Sequence, residues 1–118
     1  MVKNVLEKVD RIGSLFELYG ELLTPRQKEL TVYYYFDDLS LAEIAEELGI
    51  SRQAVFFGLK RAEEVLESYE EKLGLYGENS ARRRKLGQVK NLLREYRASG
   101  DSKKLDLAEE FLDSCMDQ

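Results

Sequence analysis

Four side chains in the stretch SRQAVFFGLKR, residues 51–61, have the types and spacing to read a polymer. Arg52 carries paired donors that match guanine, and Gln53 a donor–acceptor pair that matches adenine. Lys60 and Arg61 suit phosphate oxygens. Between these pairs stand Phe56 and Phe57, which hydrogen-bond no base. They could touch a thymine methyl, but neighbouring phenyl rings beside an Arg are also what protein interfaces concentrate. Gly58 costs about 1 kcal/mol relative to Ala inside a helix and would let another backbone approach closely. No other group suggests a reaction centre. His is absent, which removes the commonest general base and transition-metal ligand. The single Cys, Cys115, has no His to activate it and reads as a buried helix residue. There is no glycine-rich phosphate loop, and the carboxylates fall at helix-surface spacing. The chain does not read as an enzyme, and no cofactor or metal is expected.

Residues 51–61 need a scaffold, and the preceding residues supply one. Ser40 can cap a helix, with Glu43 completing a capping box and Leu39 and Ile44 forming a hydrophobic staple. Gly49 is placed to close that helix in the left-handed conformation. Ser51 then caps a second helix, and Ile50 and Val55 repeat the staple. Ala45 is small where the two helices cross, and Ile44, Leu48, Ile50, Val55 and Leu59 make the seam. Two capped helices around a Gly turn read as a helix-turn-helix. A plain helical hairpin with no nucleic-acid role stays open.

The remainder reads as all-α. Only one Pro and eight Gly stand among 118 residues, and charged residues make up 35%. Residues 2–23 form an amphipathic helix with Val5, Val9, Ile12, Phe16, Tyr19 and Leu23 on one stripe and a break near Gly20. Thr24-Pro25-Arg26-Gln27 starts another helix, which runs to about Phe36. Either Leu30 and Tyr34 or Val32 and Phe36 face inward. After Ser51 the apolar residues Val55, Leu59, Ala62, Leu66, Tyr69, Leu73 and Tyr76 step four and three without a fault, so the second helix extends to about Leu73. Its far half (Ala62, Leu66, Tyr69, Leu73, Tyr76) needs a covering: the first helix, the C-terminal segment, or a second copy in a homodimer. A loop is expected at Gly74, Gly77 and Asn79-Ser80. A basic helix over 81–97 follows, with Leu86, Val89, Leu93 and Tyr96 on one side. A last helix runs from Asp101 or Ser102 to about Cys115, its stripe Leu105, Ala108, Phe111 or Leu112, and Cys115. The expected division is a helix-turn-helix domain over 1–76 and a helical extension over 77–118.

Net charge is −5 and the sequence pI is near 4.9, the reverse of what a dedicated duplex-DNA binder shows. Positive charge concentrates in 81–97, which holds seven basic residues (Arg82, Arg83, Arg84, Lys85, Lys90, Arg94, Arg97) against one acidic. That helix is either an RNA contact through phosphate and shape or a solvated face lying on the acidic Glu63–Glu71 surface. No apolar run approaches the roughly 20 residues that span a bilayer. The N-terminus does not read as a signal peptide. A lone Cys is compatible with a reducing compartment, so a cytoplasmic location without membrane association is expected.

LLTPRQ, YYYFDD, SLAEIAEELGISRQAV and the Lys-Arg before a Glu-rich helix resemble the YlxM family of small bacterial helix-turn-helix proteins, over about Gly13 to Tyr76. That family is similar to region four of bacterial sigma factors, whose second helix reads promoter DNA. Its members are encoded beside the signal recognition particle GTPase and are regarded as accessory components of protein targeting. The resemblance implies a non-enzymatic partner of that GTPase, of its RNA, or of both. A sequence-specific transcriptional regulator on duplex DNA is the alternative. On sigma-like geometry Arg52, Gln53, Phe56, Phe57 and Lys60 would face the major groove. Phe56-Phe57-Gly58 departs from the family pattern, which has an aromatic residue followed by Asp and Asn there.

Overall fold

Three of the chain's helices start on side chains that close their own first turns. In the computed structural model, which describes residues 2–116, α2 (Pro25–Thr31) is capped by Thr24 and α3 (Leu41–Leu48) by Ser40. In each case the cap oxygen accepts from the backbone N–H three residues on, and Gln27 or Glu43 reaches back to the cap N–H. Ser51 caps α4 (Arg52–Leu73) by accepting from the Ala54 N–H. Gly49 closes α3 at φ +66°, and the Ile50 N–H donates back to the Ala45 carbonyl at 3.1 Å. The other helices are α1 (Val2–Tyr19), α5 (Leu75–Ser99) and α6 (Lys103–Met116), with no strand among the described residues. The fold is all-α, with the helix-turn-helix at α3–α4.

Two details of the helical register differ from expectation. The segment after α2 does not continue as an α-helix. Val32–Phe36 widens into a single π-helical turn, with the Asp37 N–H donating to the Val32 carbonyl at 2.9 Å. The extra residue rotates the aromatic run. Leu30 is buried, but Tyr35 rather than Tyr34 or Phe36 follows it inward, and Tyr34 and Phe36 are left partly exposed, with Phe36 against Phe16 at 5.3 Å. On α1 the core stripe is Ile12, Leu15 and Tyr19, and Leu23 joins it from beyond the short turn at Gly20–Leu22. Leu15 is fully buried, while Val5 is exposed, because α1 runs past the crossing at its N-terminal end.

Two buried clusters hold residues 1–76 together. One joins Ile12, Leu15, Tyr19 and Leu23 of the N-terminal segment to Leu66 of α4. The other joins Leu30, Ile44, Ala45, Val55 and Leu59, the helix-turn-helix seam. Tyr35 packs against both. The long α4 seam is therefore covered from within the chain. Ala62 and Leu66 are fully buried, and Tyr69 lies against Tyr19 with ring centroids 6.0 Å apart. Tyr76 packs at the same cluster, and Leu73 alone remains exposed. The reading of Ala62, Leu66, Tyr69, Leu73 and Tyr76 as an oligomer seam is thus corrected. α1 occupies most of the surface a second copy would need.

The expected loop over 77–80 is also absent. Only Gly74 breaks the chain, at φ +65°, and α5 begins at the next residue. Its first N–H groups are satisfied from far away: Leu75 donates to the Tyr19 hydroxyl at 3.1 Å and Tyr76 to the Glu70 carboxylate at 3.0 Å. The chain divides into two compact units, Met1–Tyr76 and Gly77–Gln118. In the second, Val89 and Ala108 are the buried residues among those described, and Gly100 turns the chain at φ +73°.

Candidate binding surface

On α4, Val55 and Leu59 point into the core, which turns the intervening residues outward. Gly58 lies on the inner side. A Cβ there would stand 2.5 Å from Leu30 Cδ1, so a larger residue must displace a side chain of α2, and no other backbone approaches. With the inner face taken by Val55, Gly58 and Leu59, both phenyl rings are displaced to the outside. Phe56 is 48% and Phe57 57% exposed, and they meet edge to face at 5.4 Å. Ser51, Arg52, Gln53, Lys60 and Arg61 are exposed on the same helix. Arg61 approaches Glu64 only at 3.9 Å, and Arg52 and Lys60 enter no ion pair among the described residues. The structure thus gathers all seven residues on one outward-facing stretch of α4.

Sequence reasoning missed what lies beside them. A groove of about 950 Å³ runs between α1 and α4, and Phe56 forms part of its wall. Val5, Val9, Tyr34, Leu41 and Leu59 line it as well. Val5 and Val9 belong to the expected core stripe of α1, so periodicity could not mark them as surface. Farther along α4 the groove is acidic, lined by Glu63, Glu64, Glu67 and Glu71. Two of these carboxylates are tied to α1. Lys8 pairs with Glu63 at 2.8 Å, and Arg11 grips Glu67 through two bonds of 2.7 Å while stacking over Tyr76. The Glu67 bonds hold the Arg11 guanidinium above its ordinary pKa. Burial raises the Tyr35 phenol above its usual range, and the neighbouring Glu63 carboxylate raises it further. Arg11 therefore stays a cation and Tyr35 a neutral phenol near neutrality.

Residues 1–76 hold nine basic against fifteen acidic side chains, net −6. Lys60 and Arg61 are followed directly by glutamates on α4, which would oppose a phosphate backbone lying along that helix. In the C-terminal unit, Arg82, Arg83, Arg84, Lys90, Arg94 and Arg97 are exposed on α5 and Lys85 is half-buried. None of the seven enters an ion pair among the described residues. Arg82 makes one long bond, 3.4 Å, to Asn79 of its own helix. Among the described residues no cluster of His, Cys, Asp and Glu could hold a metal ion, and no helix is long and apolar enough to cross a membrane.

Comparison with known proteins gives one consistent family. Residues 6–109 match the family described as "Putative helix-turn-helix protein, YlxM / p13 like", UPF0122. A UPF0122 protein of Exiguobacterium sibiricum is 48% identical over 87 residues, 74% of this chain and 82% of its own length. One of Lactococcus lactis subsp. cremoris is 52% identical over 84 residues, 71% and 76% of the two chains. One of Bacillus cereus is 48% identical over 91 residues, 77% and 83%.

Proposed function

The chain belongs to the YlxM/p13-like UPF0122 family of helix-turn-helix proteins, and from that premise we propose that it is a non-enzymatic accessory protein of the signal recognition particle pathway. It acts by docking the outer face of α4 on a protein partner, the particle's GTPase. The observation that carries this reading is the pair Phe56–Phe57, held out in solvent on an acidic domain and continuous with an apolar groove. Solvated phenyl rings are a cost for a free protein, and burying them against a partner recovers it. The glutamate wall beside them favours a basic partner surface over a phosphate backbone. The unpaired cations of α5 are suited to the particle's RNA, recognised by phosphate and shape.

The test is co-elution of the purified chain with the GTPase and its RNA, with and without nuclease. Association is expected at low salt, and Phe56→Ala with Phe57→Ala is expected to weaken the nuclease-resistant part at least about tenfold. No association at low salt, or association indifferent to the double substitution, overturns the reading. Exposed Arg52, Gln53 and Lys60 favour a second reading, a sequence-specific regulator on duplex DNA. It requires steeply salt-dependent binding that Arg52→Glu abolishes. Unselected genomic fragments yielding no enriched site would remove it.

A further inference from the structure

The groove between α1 and α4 changes character along its length. Phe56, Lys60, Glu63, Glu67 and Glu71 line it and step four, three, four and four residues, so they share one stripe of α4. From Phe56 to Glu71 that stripe runs about 22 Å. The pairs Lys8–Glu63 and Arg11–Glu67 advance together on the two helices, so α1 runs in the same direction as α4 and Val5 lies on the Phe56 side of both pairs. The apolar lining includes Val5, Tyr34 and Phe56, and these remain uncovered: Val5 is 63% and Tyr34 39% exposed.

The other end is acidic and incompletely neutralised. Lys8 and Arg11 answer Glu63 and Glu67. Glu64 meets only Arg61, at 3.9 Å, and Glu71 enters no ion pair among the described residues. Both are exposed. Lys60, unpaired among the described residues, lies on the Phe56 side of these glutamates, where its long stem adds apolar surface and its ammonium reaches water. The volume, about 950 Å³, is at the upper end of small-molecule pockets, but it is drawn out over four turns of helix. Such a space suits a helix laid in a groove.

We infer that the groove takes a helix of the protein partner that is apolar over the two turns beside Val5 and Phe56 and cationic over the two turns beside Glu64 and Glu71. The inference rests on the reading of this face as a protein-docking surface and adds which kind of segment enters it. A nucleic-acid strand in the same place would set its phosphates against the glutamates. The chain's own basic helix lacks the required division, because Lys90, Arg94 and Arg97 stand among and beyond its exposed Leu86 and Leu93.

The test is titration of the purified full chain with synthetic helical peptides of about 16 residues, Leu and Ala in one half and Lys and Ala in the other, made in both orders. One of the two is expected to bind saturably, one per chain, at least about tenfold more tightly than a peptide of the same composition with Leu and Lys intermixed. Glu64→Lys with Glu71→Lys, and separately Val5→Glu with Tyr34→Ala, should each weaken it at least about tenfold at unchanged helix content, since all four side chains are exposed. The charge-reversed variant should instead take the peptide carrying Glu for Lys. Equal binding of the intermixed peptide, or binding indifferent to either pair of substitutions, overturns the inference. So does self-association of the natural chain that Glu64→Lys with Glu71→Lys dissolves, which would put a second copy in the groove. Peptide binding without co-elution of the GTPase removes the targeting partner and leaves the groove assignment standing. Co-elution that survives both pairs of substitutions, with no peptide bound, does the reverse.

Discussion

Residues 1–76 and 77–118 both expose large apolar side chains, and the exposure means different things in each. The N-terminal unit has two buried clusters with Tyr35 packed against both, and Thr31, the one buried polar residue among those described, donates its hydroxyl to the Gln27 carbonyl at 2.7 Å. It needs nothing more to be folded. Its phenyl pair is surplus to stability and so is available for recognition. The C-terminal unit buries little of what it carries: among its described residues Val89 and Ala108 are buried, while Leu86, Leu93, Leu112 and Met116 stand exposed. An exposed ring beside a complete core is spare for recognition, whereas exposed apolar residues on a unit with little core reflect how little that unit can bury by itself.

The largest effect that could break this contrast lies at Leu66. Leu66→Ala removes a fully buried side chain between α4 and α1 and is expected to cost about 2–5 kcal/mol in urea unfolding. Leu73→Ala, two turns along the same stripe, should change stability by less than about 0.5 kcal/mol. Equal losses would mean that the stripe is covered along its whole length. A smaller effect is expected where Leu30 meets α4. Gly58→Ala alone should destabilise by about 1 kcal/mol net, overpacking against Leu30 outweighing the gain in helix propensity. In a Leu30→Ala background the same change should stabilise by up to about 1 kcal/mol, and an unchanged sign would remove Leu30 as the cause.

Two finer predictions sharpen the comparison. Tyr19→Phe deletes the hydroxyl that donates to Glu70 and accepts from the Leu75 N–H, and should cost about 1 kcal/mol. Faster hydrogen exchange at the Leu75 amide would report it, and an unaltered rate would leave Gly74 and the Glu70 carboxylate to start α5. The smallest effect is at Glu43, whose pKa is lowered from 4.5 by the Ser40 N–H and then by its hydroxyl. A carboxylate depressed by folding adds stability above its unfolded value, and that contribution is lost as the pH falls through the folded value. Glu43→Gln keeps an acceptor for the Ser40 N–H, so the variant should lose slightly less stability than the natural chain in that acid range.

The capped helix starts at Thr24, Ser40 and Ser51 were legible because their partners lie three residues away. So was the outward direction of Arg52, Gln53, Phe56, Phe57, Lys60 and Arg61, which follows from Val55 and Leu59 pointing inward. Features set by distant groups were not legible. The start of α5 is fixed by Tyr19 and Glu70, so the Gly and Asn-Ser residues after it look like a loop. The π-turn has no local signature in Tyr33-Tyr34-Tyr35-Phe36. Val5 and Val9 carry the period of a core stripe, and only the end of the α1–α4 crossing turns them into the wall of a groove.

The widened turn at Val32–Phe36 has a consequence for how this protein can change over time. A chain one residue shorter there would close an ordinary helical turn, with Tyr35 then four residues after Leu30 and still turned inward. The wide turn takes up one residue, and the elements on either side of it keep their register. A loss of two residues exceeds that slack and would turn everything downstream by about 100°, the phenyl pair included.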